Sequence, residues 1–293
     1  MNFAAFGMDT ASLAGTLERK LDVISATGFS QVMISATDIV GYSKGSAAGA
    51  RLVRDSGLRV TGFEALRDFE GLDGQLHNYK MDVAKSMLTV CRDLGGDLLL
   101  VEATTSTHAA QDVARTAKDL HKLAMLAIPL GIRIAYKPRL GSCTAADLAT
   151  ASDIVYHAAC HNLGLAIDAF DILVAHTADE DIDALDPTQI FLVQLSDFMW
   201  NAIRTTAEQQ ATATHFRVFP GEGAHSEALA KLVRQLDNLG YGGDFSFDVY
   251  NDDYLQMPAE TVAERARRSS EWLGETVLRR ALPVPNLERL RQQ

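Results

Sequence analysis

The feature that most constrains this chain is an eightfold alternation of short, β-rich apolar runs with longer segments whose apolar residues recur at the 3.6-residue period of a helix. The runs fall at residues 3–8, 31–35, 59–64, 97–102, 133–136, 164–168, 190–195 and 244–249. The helical stretches follow at 13–27, 46–56, 75–94, 109–130, 145–160, 179–185, 227–239 and 259–278. Alternation of this kind implies parallel strands, because a parallel neighbour is reached only by carrying the chain back across a face of the sheet. Several helical stretches close on a glycine before the next run, as in Thr27-Gly28-Phe29, Ser56-Gly57-Leu58, Leu130-Gly131-Ile132 and Leu239-Gly240-Tyr241. Glycine there takes the left-handed conformation that ends a helix and turns the chain. Eight such units fit a closed barrel of about 250 residues or somewhat more. An open, doubly wound sheet competes, but the phosphate-cradling Gly-x-Gly-x-x-Gly is absent after the first run. No Pro/Ser/Gly-rich linker divides the chain. The expectation is one α/β domain, a single (β/α)₈ barrel over residues 1–281, with 282–293 as a tail.

Composition excludes some partners. With 27 Lys and Arg against 38 Asp and Glu, the net charge of -11 leaves no concentrated basic surface for nucleic acid. Cys91, Cys143 and Cys160 are too few and too far apart for a disulfide framework or a cysteine-rich zinc site. The first ten residues lack the basic stretch and apolar run of a signal peptide, and no window has the length of apolar sequence needed to cross a bilayer. These features point to a cytoplasmic protein acting on a small molecule, with self-association left open.

In a (β/α)₈ barrel the reacting groups come from the C-terminal ends of the strands and the loops after them. Here those ends read Asp9, Ser35, Glu64, Glu102, Lys137, Asp168, Gln194 and Asp248. Six of the eight are ionisable, on strands otherwise made of aliphatic and aromatic residues, and such charges are buried only with a partner or a use.

The segments Gly164-Leu165-Ala166-Ile167-Asp168-Ala169-Phe170 and Val193-Gln194-Leu195-Ser196-Asp197, together with residues 62–71, 215–223 and 240–252, resemble the 3-dehydroshikimate dehydratases. These belong to the xylose-isomerase-like sugar-phosphate isomerases and epimerases. The resemblance runs in order over residues 10–273. It implies a divalent metal, Mg²⁺ or Mn²⁺, held by side chains on strands five to eight, usually Glu, Asp, Gln or His, and Glu. The matching positions are Lys137, Asp168, Gln194 and Asp248. A protonated lysine has no lone pair to offer a metal and repels it, so the expectation is no cofactor. An ion retained in an altered site would fall to Asp168, Gln194 and Asp248. A family histidine after the strand-six aspartate is replaced by Asp171. His215 and Arg217 match the loop after strand seven, and Arg67 the loop after strand three.

Lys137 admits two readings. Its ammonium bridges Asp168 and Asp248 and polarises a substrate carbonyl as the metal would, or it is a salt bridge in a site that has lost catalysis. A Schiff-base role fits less well, because each carboxylate at ~4 Å favours the charged amine by ~4 kcal/mol at an effective dielectric of 20. The resemblance implies a lyase or isomerase acting on a polyhydroxylated cyclic ketone. Lys137, Asp168, Gln194, Asp248 and His215 are the candidate catalytic groups, and Arg67, Glu64, Glu102, Asp171 and Arg217 the candidate substrate contacts. The alternative is a disabled relative that binds a metabolite or a protein partner. Phe198, Met199 and Trp200 open a long insert that could cover the mouth as an apolar lid.

Overall fold

The structure, a computed structural model, describes residues 5–279; the expected tail at 282–293 lies outside them. Eight parallel strands close on themselves: Phe6–Asp9 (β1), Gln31–Ser35 (β2), Arg59–Arg67 (β3), Leu98–Glu102 (β4), Arg133–Lys137 (β5), Leu163–Asp168 (β6), Ile190–Leu195 (β7) and, after a two-stranded insert of Asp197–Phe198 (β8) and Arg217–Val218 (β9), Phe245–Phe247 (β10). Around the barrel they run β1, β10, β7, β6, β5, β4, β3, β2 and back to β1. The expected single (β/α)₈ barrel is therefore the observed one. Among the described residues no helix is long and apolar enough to cross a membrane.

Side chains on a strand alternate sides, so every second residue of each strand faces the barrel axis. Met33, Leu98, Leu100, Ala135, Ala166 and Leu192 form the apolar plug inside the barrel. A larger core, with Phe6, Phe245, Phe247 and Tyr136 among its biggest members, fills the layer between barrel and helices. The plug fixes what lies above it. Glu102, Lys137, Asp168 and Gln194 each stand two residues beyond a plug residue, so the same alternation turns all four onto the axis. Register then aligns them, with Glu102 opposite Lys137 and Asp168 opposite Gln194.

Glycine closes helices at all four expected positions in the left-handed region, as at Gly131, φ 69°, and Gly240, φ 100°. Other boundaries move for local reasons. The first helix starts at Leu17, because the Thr16 side chain accepts from the Arg19 amide and caps it. Strand β3 continues past Glu64 to Arg67, with an irregularity between Phe63 and Leu66 that brings both Glu64 and Arg67 to the mouth. Two short helices that periodicity did not reveal, Ala36–Val40 and Ala169–Ala175, lead away from strand ends.

Close packing at the barrel wall is severe at Gly164 on β6, where an added Cβ would lie 2.4 Å from the Gln189 carbonyl oxygen and 2.8 Å from the Phe191 ring. A backbone carbonyl cannot rotate aside as a long side chain can. Gly164→Ala is expected to lower unfolding stability by about 1–3 kcal/mol in urea melts, and an unchanged midpoint would show that the wall has more room than this.

Candidate active site

The strand ends converge on a cavity of about 420 Å³ whose lining includes Arg67, Glu102, Lys137, Arg139, Asp168, Asp171, Arg217 and Asp248. Lys137 stands at its base, 5% exposed. Its Nζ donates to Gln194 Oε1 at 2.8 Å. It lies 3.4 Å from Glu102, 3.7 Å from Asp168 and 3.9 Å from Asp248. Burial alone would depress the ammonium's pKa, but the three acids outweigh it and raise the pKa above the ordinary lysine range. The amine is thus held charged. The bridge between Asp168 and Asp248 forms as the sequence suggests, with Glu102 as a nearer partner.

A second buried cation, Arg217 on β9, donates through Nη1 to Asp168 Oδ2 at 2.9 Å and to Asp248 Oδ2 at 3.4 Å. Its guanidinium lies 4.4 Å over the Phe170 ring, and its Nε donates to the Ala213 carbonyl. These contacts leave it one arrangement, so it is a fixed clamp on the two aspartates. On the other flank Arg67 Nε and Arg139 Nη1 reach Glu102 Oε2 at 2.8 and 3.0 Å. Burial would raise the Glu102 pKa, but Lys137, Arg67 and Arg139 together hold it down at about 2. Charges therefore alternate across the mouth, from the two arginines through Glu102, Lys137 and the two aspartates to Arg217.

Two acids escape full compensation. Asp171, in the first turn of the helix Ala169–Ala175, is pushed up to about 7 by burial and then by Asp168. Asp248 is pushed up to about 7 by burial and by Glu64. Glu64 accepts from Gln194 Nε2 at 3.0 Å and from the Tyr250 hydroxyl at 3.3 Å. Gln194 thus relays between Lys137 and Glu64, its amide oxygen on the ammonium and its amide nitrogen on the acid.

Of the ten candidates read from sequence, nine gather in this cluster and His215 does not. His215 ends the helix Thr206–His215, where its ring is half exposed and Nδ1 lies 3.1 Å from Asp252, outside the cavity lining. Asp68 and Glu70 do not pair with Arg67. Asp68 accepts from Thr104 and Thr105, and Glu70 from Thr104, Tyr136 and Thr144, so both brace the loops. The lid also differs from expectation. Phe198 is buried against Phe170, while Met199 and Trp200 face outward, and the cavity is covered instead by Thr206, Gln209, Gln210 and Thr214. Sequence reasoning missed Arg139 and Tyr250, which line the cavity from the loops after β5 and β10.

The family ion does not fit this constellation. Its first ligand position holds the Lys137 ammonium, which has no lone pair to give, and Oδ2 of Asp168 and of Asp248 is already engaged by Arg217.

Residues 21–276 match the family described as Xylose isomerase-like TIM barrel. The chain is 33% identical to a 3-dehydroshikimate dehydratase of Pseudomonas aeruginosa, an alignment covering 91% of this chain and 41% of that protein. It is 23% identical to an inosose isomerase of Bacillus subtilis over 73% of this chain and 75% of that one. A solved xylose isomerase-like TIM barrel/4-hydroxyphenylpyruvate dioxygenase fusion protein superposes with a TM-score of 0.86 at 28% identity, covering 98% of this chain and 44% of the fusion. The chain thus spans less than half the length of that dehydratase. Matched along most of its length and closed into the barrel described above, the chain belongs to the xylose isomerase-like TIM barrel family.

Proposed function

We propose that the chain is a lyase that removes water from a small polyhydroxylated cyclic ketone resembling 3-dehydroshikimate, with the Lys137 ammonium acting where relatives are expected to use a metal. One observation carries the reading. Of the four groups around Lys137 Nζ, Gln194 alone accepts a hydrogen bond from it, and the three acids stand at 3.4–3.9 Å as ion pairs. An ammonium has three N–H donors. Donors not committed to Gln194 are available to a substrate oxygen in the cavity, and the surrounding acids keep the nitrogen charged.

The chemistry follows from what each group can hold. Lys137 donates to the ketone oxygen and stabilises the negative charge that develops there. Asp171, which burial and Asp168 push up to about 7 against the opposing pull of Arg217 and Lys137, takes the proton alpha to the ketone. Asp168 is instead engaged by Arg217 at 2.9 Å and faces Lys137 at 3.7 Å. The enolate then expels the β-hydroxyl, which leaves as water on receiving the proton back from Asp171. Arg67 and Arg139, both facing the cavity and already oriented by Glu102, suit a substrate carboxylate. The polar lid suits hydroxyls: Gln209 Nε2 is buried without a hydrogen-bond partner, and a substrate that meets it recovers the cost of that group. An isomerase acting on the same class of ketone needs the same enolate, and the inosose isomerase relative keeps that reading second. The composition favours a cytoplasmic setting.

Purified protein incubated with 3-dehydroshikimate in chelator is expected to yield aromatic product by ultraviolet absorbance. Lys137→Ala should lower kcat by on the order of 10²–10³, the scale for removing one donor to a developing oxyanion. A chain silent in every condition, whose Lys137→Glu variant gains Mn²⁺-dependent turnover, would instead be a disabled relative.

Because the base must be deprotonated, kcat/KM should rise as pH passes upward through about 7. Asp171→Asn should lose on the order of 10²-fold or more in rate and flatten that limb. A limb that persists unchanged in Asp171→Asn would assign the base elsewhere.

A further inference from the structure

The alternating charges of the mouth stop at Asp248. On its far side stand Asp9 at the end of β1 and Glu64 on β3, and among the described residues neither takes part in an ion pair. Asp9 is 0%, Asp248 1% and Glu64 3% exposed. One carboxylate oxygen from each lies within 4.8 Å of the others. Three acids held this close, away from water, repel one another unless a positive charge joins them.

The hydrogen bonds show which atoms lack such a partner. Asp9 Oδ1 accepts from the Ala11 amide, but its Oδ2 is buried with no partner. Asp248 offers Oδ2 to Arg217 and Lys137, but its Oδ1 is likewise buried and unpaired. Two residues before Asp248, and so on the same face of the strand, Ser246 Oγ is a third buried polar atom without a partner, 1% exposed as a residue. An oxygen-only set with opposite oxygens about 4–5 Å apart suits a hard divalent cation, whose metal–oxygen distances run from about 2.0 to 2.6 Å.

We infer that Asp9, Glu64 and Asp248 form a binding site for a hard divalent cation, separate from the position that Lys137 fills and using the face of Asp248 that Lys137 and Arg217 leave free. It shares only Asp248 with the ligand positions implied by the family resemblance. The ion balances buried charge there, and the elimination assigned to Lys137 does not pass through it.

Mn²⁺ titrated into the full chain after chelator treatment, followed by electron paramagnetic resonance and by thermal melting, tests this without reference to turnover. One saturable Mn²⁺ per chain and a rise in Tm are expected. Asp9→Asn should weaken binding by about tenfold or more and abolish the Mn²⁺-dependent rise. The same variant should melt higher than wild type when both are metal-free, because it removes an uncompensated buried charge. Glu64→Gln gives the same reading should Asp9→Asn fail to fold. Asp168→Asn should keep saturable Mn²⁺ binding, since Asp168 contributes no oxygen to the proposed set. No saturable uptake at millimolar Mn²⁺ would overturn the site, with the three acids then sharing protons instead. Binding lost in Asp168→Asn but kept in Asp9→Asn and Glu64→Gln would also overturn it, placing the ion at the family position.

Discussion

A buried ammonium among three acids and an amide is the interaction on which the mouth of this barrel depends. Taking an amine out of water favours its neutral form, and only nearby opposite charge reverses that. At about 4 Å and an effective dielectric of 20, each carboxylate favours the charged amine by about 4 kcal/mol. Glu102, Asp168 and Asp248 together exceed the desolvation of Lys137, and the pKa rises. The acids need counterweights of their own, which Arg67 and Arg139 supply to Glu102 and Arg217 supplies to the aspartates. Breaking one link leaves a buried charge on each side of the gap, so the cluster behaves as a unit rather than as separate pairs.

The barrel supplies the precision. Four of the charged or polar groups are placed by strand alternation above a plug that includes Ala135, Ala166, Leu100 and Leu192, and neighbouring strands fix their heights. That part was legible in the sequence because β4 to β7 are short apolar runs that each carry a polar or charged residue at or next to their C-terminal end. Two strand ranges, Gln31–Ser35 and Ile190–Leu195, coincide with the apolar runs themselves. The convergence of Lys137, Asp168, Gln194 and Asp248 follows from the same regularity.

What the sequence did not show lies where regularity fails. The helix Thr206–His215 carries polar residues on all sides, so no apolar stripe announces it, and only the capping box of Thr205 and Glu208 marks its start. The adjacent Phe198-Met199-Trp200 drew attention as a lid because large apolar residues are conspicuous. The residues from this insert that line the cavity are polar or small instead: Thr206, Gln209, Gln210, Ala213 and Thr214. His215 was placed in the site by resemblance, yet the helix it terminates turns it outward onto Asp252. Arg139 went unread because a loop arginine has no periodicity to betray its direction.

On the proposed reading, an amine in place of a metal changes what the site can do as well as what it binds. A divalent ion brings two charges and several exchangeable positions, whereas a lysine brings one charge on a tether and at most three hydrogen bonds. The electrophile is weaker but arrives with its geometry already set by Gln194, so no ordering is needed when the substrate binds. A weaker electrophile is tolerable where the reaction is helped from elsewhere. An elimination that ends in an aromatic ring has a stable product to favour it, and the proton on the carbon alpha to the ketone is already acidified by that ketone. For a reaction without such help, such as cleavage of an unactivated bond, one ammonium would stabilise too little of the developing charge. An ammonium electrophile, as proposed for Lys137, is thus suited to enolate formation, which dehydration and isomerisation share.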